Sequence, residues 1–451
     1  MNAAPGARRP HLLYIAFWYP PSRASGVHRA LATSRGFVDA GWDVTVITCA
    51  TEYLTETVGS IDLSLMEQVP SEARVVRVPR IADLDIRGLT RASANFPLLW
   101  AKTRAKTTPL RRSFAEARGA AAEAHSFADG YLAWIDPVVN TGLKVDSLKR
   151  VDHVLATGNP FSAFEAARIL ARLIDRGFSV DYRDPWTIDV FTGRTDLADR
   201  GTRETERRIV AEADSCFQVN DAIADAYRNL FPEYAEKQHV VYNGYDADSI
   251  PPMGPRSSRG VRFGILGTLN ERWPLNPILE AWASVRDDLP DGSELLLGGH
   301  LGYFVRSSEH LMASLPGDSS GFRYLGAIPK TEVSSFYRDL DVVILPVPGG
   351  PMVTSGKVFE AYALGKPVLC VQTSGGGART ILSDHPLAIC VEPSPGDVRG
   401  GLIATARMAE QLDIEDSRLV RESARRFERH AALQPMIDVI EDLVVAGTPS
   451  G

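Results

Sequence analysis

Lys357 and Glu360 are the residues whose types and spacing point most directly to chemistry. They open a segment with helical spacing, 357–364, in which Val358, Ala361, Tyr362 and Leu364 fall on one side. A loop rich in Gly, Pro, Ser and Thr, residues 348–356, leads into it and ends in Ser355 and Gly356. A helix that starts from such a loop offers free N–H groups and the positive end of a dipole, which suits a phosphate. A carboxylate that reaches a ribose and a cation beside a diphosphate are what a nucleotide-sugar site requires. The same pattern also serves as a plain crossover in any α/β protein.

The elements that must position these residues can be read outward from them. Residues 342–347 form a short apolar, β-branched run ending at Pro346 and Val347, fit for a buried parallel strand. Gly365 and Pro367 stop the helix, and residues 368–371 begin the next strand. The stretch is therefore a βαβ unit.

The chain from its start repeats the same plan. Residues 11–17 are a strand, 18–26 a loop closing on Gly26, 27–40 a helix carrying His28, and 42–49 a second strand. That makes a Rossmann-like half with a ligand expected at the C-terminal end of its strands. It lacks G-x-G-x-x-G, so a dinucleotide is not implied. Further strands are expected over 74–79, 151–157, 178–182, 213–219 and 239–242. Arg183 and Asp184 follow the strand at 178–182, a place where α/β folds keep polar chemistry. Asp184 could instead cap the next segment. Residues 196–211 read as a charged, mostly exposed helix.

Residues 251–260 (PPMGPRSSRG) are a linker. After it come a strand over 261–266 with Gly267 in the following loop, and a helix over 274–285. A strand over 294–297 leads to Gly299 and His300, and one over 322–325 leads to the loop holding Ile328. A helix over 332–340 follows, and a last helical pattern runs over 418–445. The expected domains are 1–250 and 261–417, with 418–451 packing back toward the cleft between them.

Composition sets the outer bounds. The chain has 451 residues, 44% hydrophobic and 23% charged, too long for one core. A net charge of -7 argues against general nucleic-acid binding. Cys49, Cys216, Cys370 and Cys390 are far apart in sequence, with neither metal nor disulfide spacing, and read as reduced core residues. No apolar run reaches membrane-spanning length and no signal-peptide core is present, so the expected location is the cytoplasm. Residues 99–118 carry Lys102, Arg104, Lys106, Arg111, Arg112 and Arg118 with interleaved apolar side chains. Such a run suits peripheral contact with an anionic membrane or a phosphorylated acceptor, and more often is the solvated face of a helical insertion.

Taken in order, these motifs resemble the retaining family-four glycosyltransferases, bacterial enzymes of the GT-B fold. The segments YPPSRASGVHRALATSRGFVDAGWDVTVIT, ADSCFQVND, VVYNGYD, GILGTLNERWPLNPILEAW, LLLGGH, YLGAIPKTEVSSFYRDLDVVILP and SGKVFEAYALGKPVL carry the resemblance. GYLAWIDPVV, TGNPFSAF and DYRDPW resemble a branch that works on polysaccharides and decorated natural products. The resemblance implies two Rossmann-like domains facing across a cleft. It implies transfer of a sugar from a nucleotide-diphosphate sugar to an acceptor (a glycan, a lipid-linked molecule or a natural product), with no cofactor and no metal. Glu360 matches the second glutamate of the family's Glu-seven residues-Glu motif, the one that holds the donor ribose. Met352 stands where the first glutamate belongs, and Phe164 falls near where the family often has a histidine. Arg272 is implied as the diphosphate clamp beside Lys357. Ile328 is implied to meet the base through its backbone, with Gly267, Gly299, Ser355 and Gly356 lining the donor. Gly26, His28, Arg183 and Asp184 are expected on the acceptor side. Asp83-Leu84-Asp85, Asp246-Ala247-Asp248 and Asp339-Leu340-Asp341 have the D-x-D form used by metal-dependent transferases but read as turns and helix ends. A non-catalytic GT-B partner protein and a GT-B sugar-nucleotide epimerase are the alternatives, the first favoured by Met352 and Phe164.

Overall fold

The computed structural model describes residues 8–58, 61–79, 131–254, 260–301, 311–313, 315–317 and 321–446. The basic run 99–118 and Asp83-Leu84-Asp85 lie outside the described residues, as do linker residues 255–259. The chain divides into two compact units. The first comprises Met1–Asp189, Arg194–Val241 and Leu433–Gly451, and the second Val190–Gly193 and Tyr242–Ala432.

The first unit is built on a seven-stranded sheet, β1 (His11–Ala16), β2 (Asp43–Cys49), β3 (Arg74–Val78), β4 (His153–Gly158), β5 (Gly177–Tyr182), β6 (Ser215–Gln218) and β7 (Gln238–Val240). Its order is β3-β2-β1-β4-β5-β6-β7, and every pairing is parallel. The strands are nearly continuous apolar runs because both faces are covered. Leu12, Tyr14, Val44 and Val46 pack with Val27, Ala30 and Phe37 of α1 (Val27–Asp39) in one buried cluster. The other helices of this unit are α2 (Ile135–Leu148), α3 (Ser162–Ile174), α4 (Arg200–Glu212) and α5 (Asp221–Leu230). The order reverses between β1 and β4, and that is where a doubly wound sheet opens a crevice at its C-terminal edge.

The second unit repeats the plan. Its sheet has β8 (Arg262–Leu266), β9 (Glu294–Gly298), β10 (Phe322–Gly326), β11 (Val342–Pro346), β12 (Val368–Val371) and β13 (Ala388–Val391) in the order β10-β9-β8-β11-β12-β13, again all parallel. The reversal falls between β8 and β11. Around it lie α6 (Leu275–Val285), α7 (Val333–Arg338), α8 (Lys357–Ala363), α9 (Gly377–Ile381), α10 (Pro395–Gln411) and α11 (Ile414–Ala424).

Two expectations change. The last helical pattern is not one element: α11 is followed by a 3-10 turn, Arg425–Phe427, and then α12 (Arg429–Ala446). The break occurs because Phe427 is buried against Tyr242, Phe359 and Tyr362, while the backbone around it bonds to Tyr245. Tyr245 N–H donates to Phe427 O at 2.9 Å, and Arg429 N–H to Tyr245 O at 2.9 Å. From Leu433 onward α12 belongs to the first unit, where Leu433, Met436, Ile437 and Ile440 join the α1 cluster. Second, α4 is not a solvated helix: Thr202, Thr205, Glu206, Ile209 and Val210 are buried. The four cysteines are free thiols, as expected, and Cys370 and Cys390 stand opposite each other on β12 and β13.

Candidate functional site

In the second unit the loops after β8, β9 and β10 are tied together just beyond the sheet. Gly267 N–H donates to Gly298 O at 3.1 Å, Leu269 N–H to His300 O at 2.9 Å, and Gly299 N–H to Gly326 O at 2.7 Å. Tyr324 OH donates to Gly299 O at 2.9 Å. Gly299 has φ +123°, and a Cβ there would lie 1.9 Å from Gly267 O. The space where a Cβ on Gly267 would project is open, and so is that at Gly356. The edge of the switch point is thus paved with backbone. Ile328 packs over Gly298, its Cγ1 2.7 Å from where a Cβ on that glycine would stand. Gly299→Ala is expected to cost about 1–3 kcal/mol, since an L side chain meets both an unfavourable φ and an immovable carbonyl. A melting temperature equal to the parent's would contradict this.

The loop after β11 leads into α8. Lys357 N–H donates to Ser355 Oγ at 3.3 Å, and Val358 N–H to Ser355 O at 3.0 Å. Helix α8 has seven residues and buries Val358, Phe359, Ala361 and Tyr362, which leaves Lys357 and Glu360 on its outer side. Lys357 Nζ donates to Glu360 Oε2 at 2.8 Å, and Tyr337 OH donates to the same oxygen at 2.7 Å. Burial, followed by the Glu360 charge, pushes the Tyr337 phenol well above its ordinary value, so it stays protonated and donates. Glu360 Oε1 accepts no hydrogen bond among the described residues. The carboxylate is therefore oriented by one oxygen and open at the other.

Arg272 is exposed on the loop after β8, its guanidinium carbon 4.4 Å from the centre of the Phe191 ring. It makes no ion pair among the described residues. Phe191 lies in the segment Val190–Gly193 of the second unit, against the loop that feeds α8. A Cβ on Gly350 would lie 2.8 Å from Phe191 Cα. Phe191 thus connects Arg272 to the 348–356 loop.

The first unit has its own constellation at the β1–β4 reversal. Gly26 precedes α1 with no side-chain cap, and the Arg183 guanidinium fills the place a Cβ would take, with Nη1 1.4 Å from it. Arg183 Nε donates to Gly158 O at 2.7 Å and Nη2 to Asn159 O at 2.6 Å. Burial lowers the Arg183 value from that of an ordinary guanidinium. His28 is half-buried in the first turn of α1 and Asp184 is exposed. Behind Arg183, Trp186 stacks on Phe161 with centroids 4.9 Å apart and planes 9° from parallel.

Residues 260–407 match the family described as Glycosyl transferases group 1. The match is confined to the second unit and includes Gly267, Arg272, Gly299, Ile328, Lys357 and Glu360. A search of curated proteins finds no relative. Among solved structures, a glycosyltransferase from Rickettsia africae is similar at 11% identity, over 98% of this chain and 100% of that one, with a TM-score of 0.65. HepE from Anabaena, solved in complex with UDP and glucose, is 14% identical over 96% of this chain and 100% of its own, with a TM-score of 0.61. A UDP-N-acetylglucosamine 2-epimerase is 13% identical over 99% and 98%, with a TM-score of 0.53. The chain has the GT-B fold.

In this GT-B chain the structure joins Lys357 to Glu360, and Gly267 to Gly299, as direct neighbours. Gly26 and Arg183 interlock in the first unit. Met352 is buried, its Cε 3.8 Å from the Cβ position of Gly193, so the place of the missing glutamate is packed rather than polar. Phe164 is also fully buried, against Tyr182 and Phe161. Asp246 is committed to Arg429 at 2.6 Å and to Lys330 at 3.7 Å, and Asp341 accepts from Arg262 N–H. No group of three His, Cys, Asp or Glu suited to a metal occurs among the described residues. Among them no helix is long and apolar enough to cross a membrane.

Sequence reasoning missed two contributors. Phe191 is a lone aromatic residue between strand and helix and gives no signal. Gln372-Thr373-Ser374-Gly375-Gly376-Gly377 does give one: a polar residue directly after an apolar strand, followed by glycines.

Proposed function

We propose that this chain is a glycosyltransferase that moves a sugar from a nucleotide-diphosphate sugar to an acceptor hydroxyl with retention of configuration. The observation that carries it is Glu360, fixed through Oε2 by Lys357 and Tyr337 with Oε1 open, in the same family-matched unit as the backbone-paved switch point. In this reading Oε1 accepts a ribose hydroxyl in a charge-assisted hydrogen bond. Gly267, Gly299 and Gly356 let the donor approach the backbone, and Ile328 flanks the base. Arg272 and Lys357 neutralise the charge that develops on the diphosphate as it leaves, and no metal is assigned to that task. The departing phosphate takes the acceptor's proton, so no side chain is assigned as a separate base. The acceptor is assigned to the Gly26, His28, Arg183 and Asp184 crevice. UDP in a complex of HepE supports a nucleoside diphosphate as the bound group.

Glu360→Gln is expected to weaken UDP-glucose binding by about 1–3 kcal/mol, read by titration calorimetry. Unchanged affinity would sink the ribose assignment. The similarity to a UDP-N-acetylglucosamine 2-epimerase favours a second reading, sugar-nucleotide epimerisation. Transfer releases free UDP in proportion to an acceptor product, whereas epimerisation interconverts two sugar nucleotides with no acceptor at all.

A further inference from the structure

Gln372, one residue beyond β12, is fully buried, and both ends of its side-chain amide are used. Nε2 donates to Pro348 O at 3.1 Å and to Val353 O at 3.1 Å. Oε1 accepts the Ala378 N–H at 3.2 Å. The two carbonyls it grips lie at either end of residues 348–353, the first part of the loop that feeds α8. Residues 347–356 contain neither helix nor strand. Within 348–353 the one backbone bond is Val353 N–H to Gly350 O at 3.3 Å.

The turn after Gln372 is cut to fit the same loop. A Cβ on Gly376 would stand 2.1 Å from Gln372 Cδ, and one on Gly377 would stand 3.1 Å from Val353 O. A Cβ on Gly349 would lie 3.2 Å from Thr373 Oγ1. Gln372 is thus the polar pin through a close contact made by glycines on both sides. The pin needs two N–H donors and one acceptor on a side chain of this length, and glutamine supplies that neutral set. A glutamate would turn lone pairs toward two carbonyls. A leucine would leave two carbonyls and one N–H buried without partners.

We propose that Gln372 is a positioning residue of the donor site, setting the shape of the 348–356 loop and, through it, the placement of Lys357 and Glu360. This rests on the donor reading given above. Its test is made on the full chain with Gln372→Asn, which keeps a neutral amide one methylene short, and with Gln372→Glu. Three quantities are measured: hydrogen exchange of the amides at 349–356, UDP binding by calorimetry, and the KM and kcat of UDP-glucose turnover. Exchange at 349–356 is expected to accelerate in both variants while the sheet amides of β11 and β12 keep their protection. Kd for UDP and KM are expected to rise about tenfold, with kcat changed less than twofold. Unchanged loop exchange and unchanged KM in folded Gln372→Asn would overturn the proposal. If the parent chain binds neither UDP nor GDP while Gln372→Asn still speeds loop exchange, the donor reading fails and the positioning of the loop by Gln372 stands.

Discussion

Asp181→Ala is expected to lower the unfolding free energy of the first unit by about 3–5 kcal/mol. Asp181 is the penultimate residue of β5, and Arg29 reaches it from α1. The side chains are 0% and 3% exposed, with Arg29 Nη2 2.6 Å from Oδ1 and Nε 2.9 Å from Oδ2. Thr157 Oγ1 donates to Oδ2 at 2.9 Å, and Arg29 Nη1 donates to Val241 O at 3.0 Å. These contacts are buried, so removing the carboxylate takes away the charge partner of a guanidinium that is only 3% exposed. Replacing both partners by apolar residues would cost much less, because no charge would be left buried. The pair also stands directly behind the crevice of the first unit: Arg29 is next to His28, and Asp181 is two residues before Arg183. Asp181→Asn, which keeps the shape and one acceptor, should retain part of the stability. Equilibrium urea unfolding measures both variants, and a loss below about 1 kcal/mol in Asp181→Ala would refute the assignment.

The second large effect depends on pH and belongs to Glu206. This carboxyl is fully buried on α4, with Tyr227 OH donating to Oε1 at 2.5 Å and Thr187 Oγ1 donating to Oε2. Burial pushes it up from 4.5 to about 7, against the pull of those hydrogen bonds. Tyr182 from β5, Tyr227 from α5 and Cys216 from β6 face it; all three are themselves raised by burial and neutral near pH 7. The folded state therefore holds a proton that the unfolded state has released between pH 4.5 and 7. Stability from this group is full below the unfolded value and is lost as pH rises through the folded one. The size is about 3 kcal/mol across that window. Glu206→Gln should flatten that slope in unfolding measured from pH 5 to pH 8. The same slope in the variant would mean that another group titrates. Tyr227 OH also accepts the Trp186 N–H at 2.9 Å, so this acid anchors the segment that carries Arg183 and Asp184.

The sequence by itself determined the alternation of strand and helix, the division into two Rossmann-like halves, and the loop–helix junction carrying Lys357 and Glu360. These are legible because they depend on local rules. Buried parallel strands read as apolar runs, a Gly and Pro stop a helix, and residues three apart share a helical face. Tertiary structure decided what depends on partners distant in the chain. The periodicity of 196–211 marks a helix but cannot show that Glu206 meets Thr187 and Tyr227 in a dry interior. Nor can it show that Arg29 finds Asp181 across 152 residues. The helical pattern over 418–445 continues through Phe427, and the break there is imposed by bonds to Tyr245 and by a ring cluster that no local pattern encodes. Phe191 beneath Arg272, and Gln372 pinning the loop before α8, follow from the same limit. Burial and hydrogen bonding over long sequence separations are set by topology, and the topology fixes which polar side chain lacks water and must find a partner.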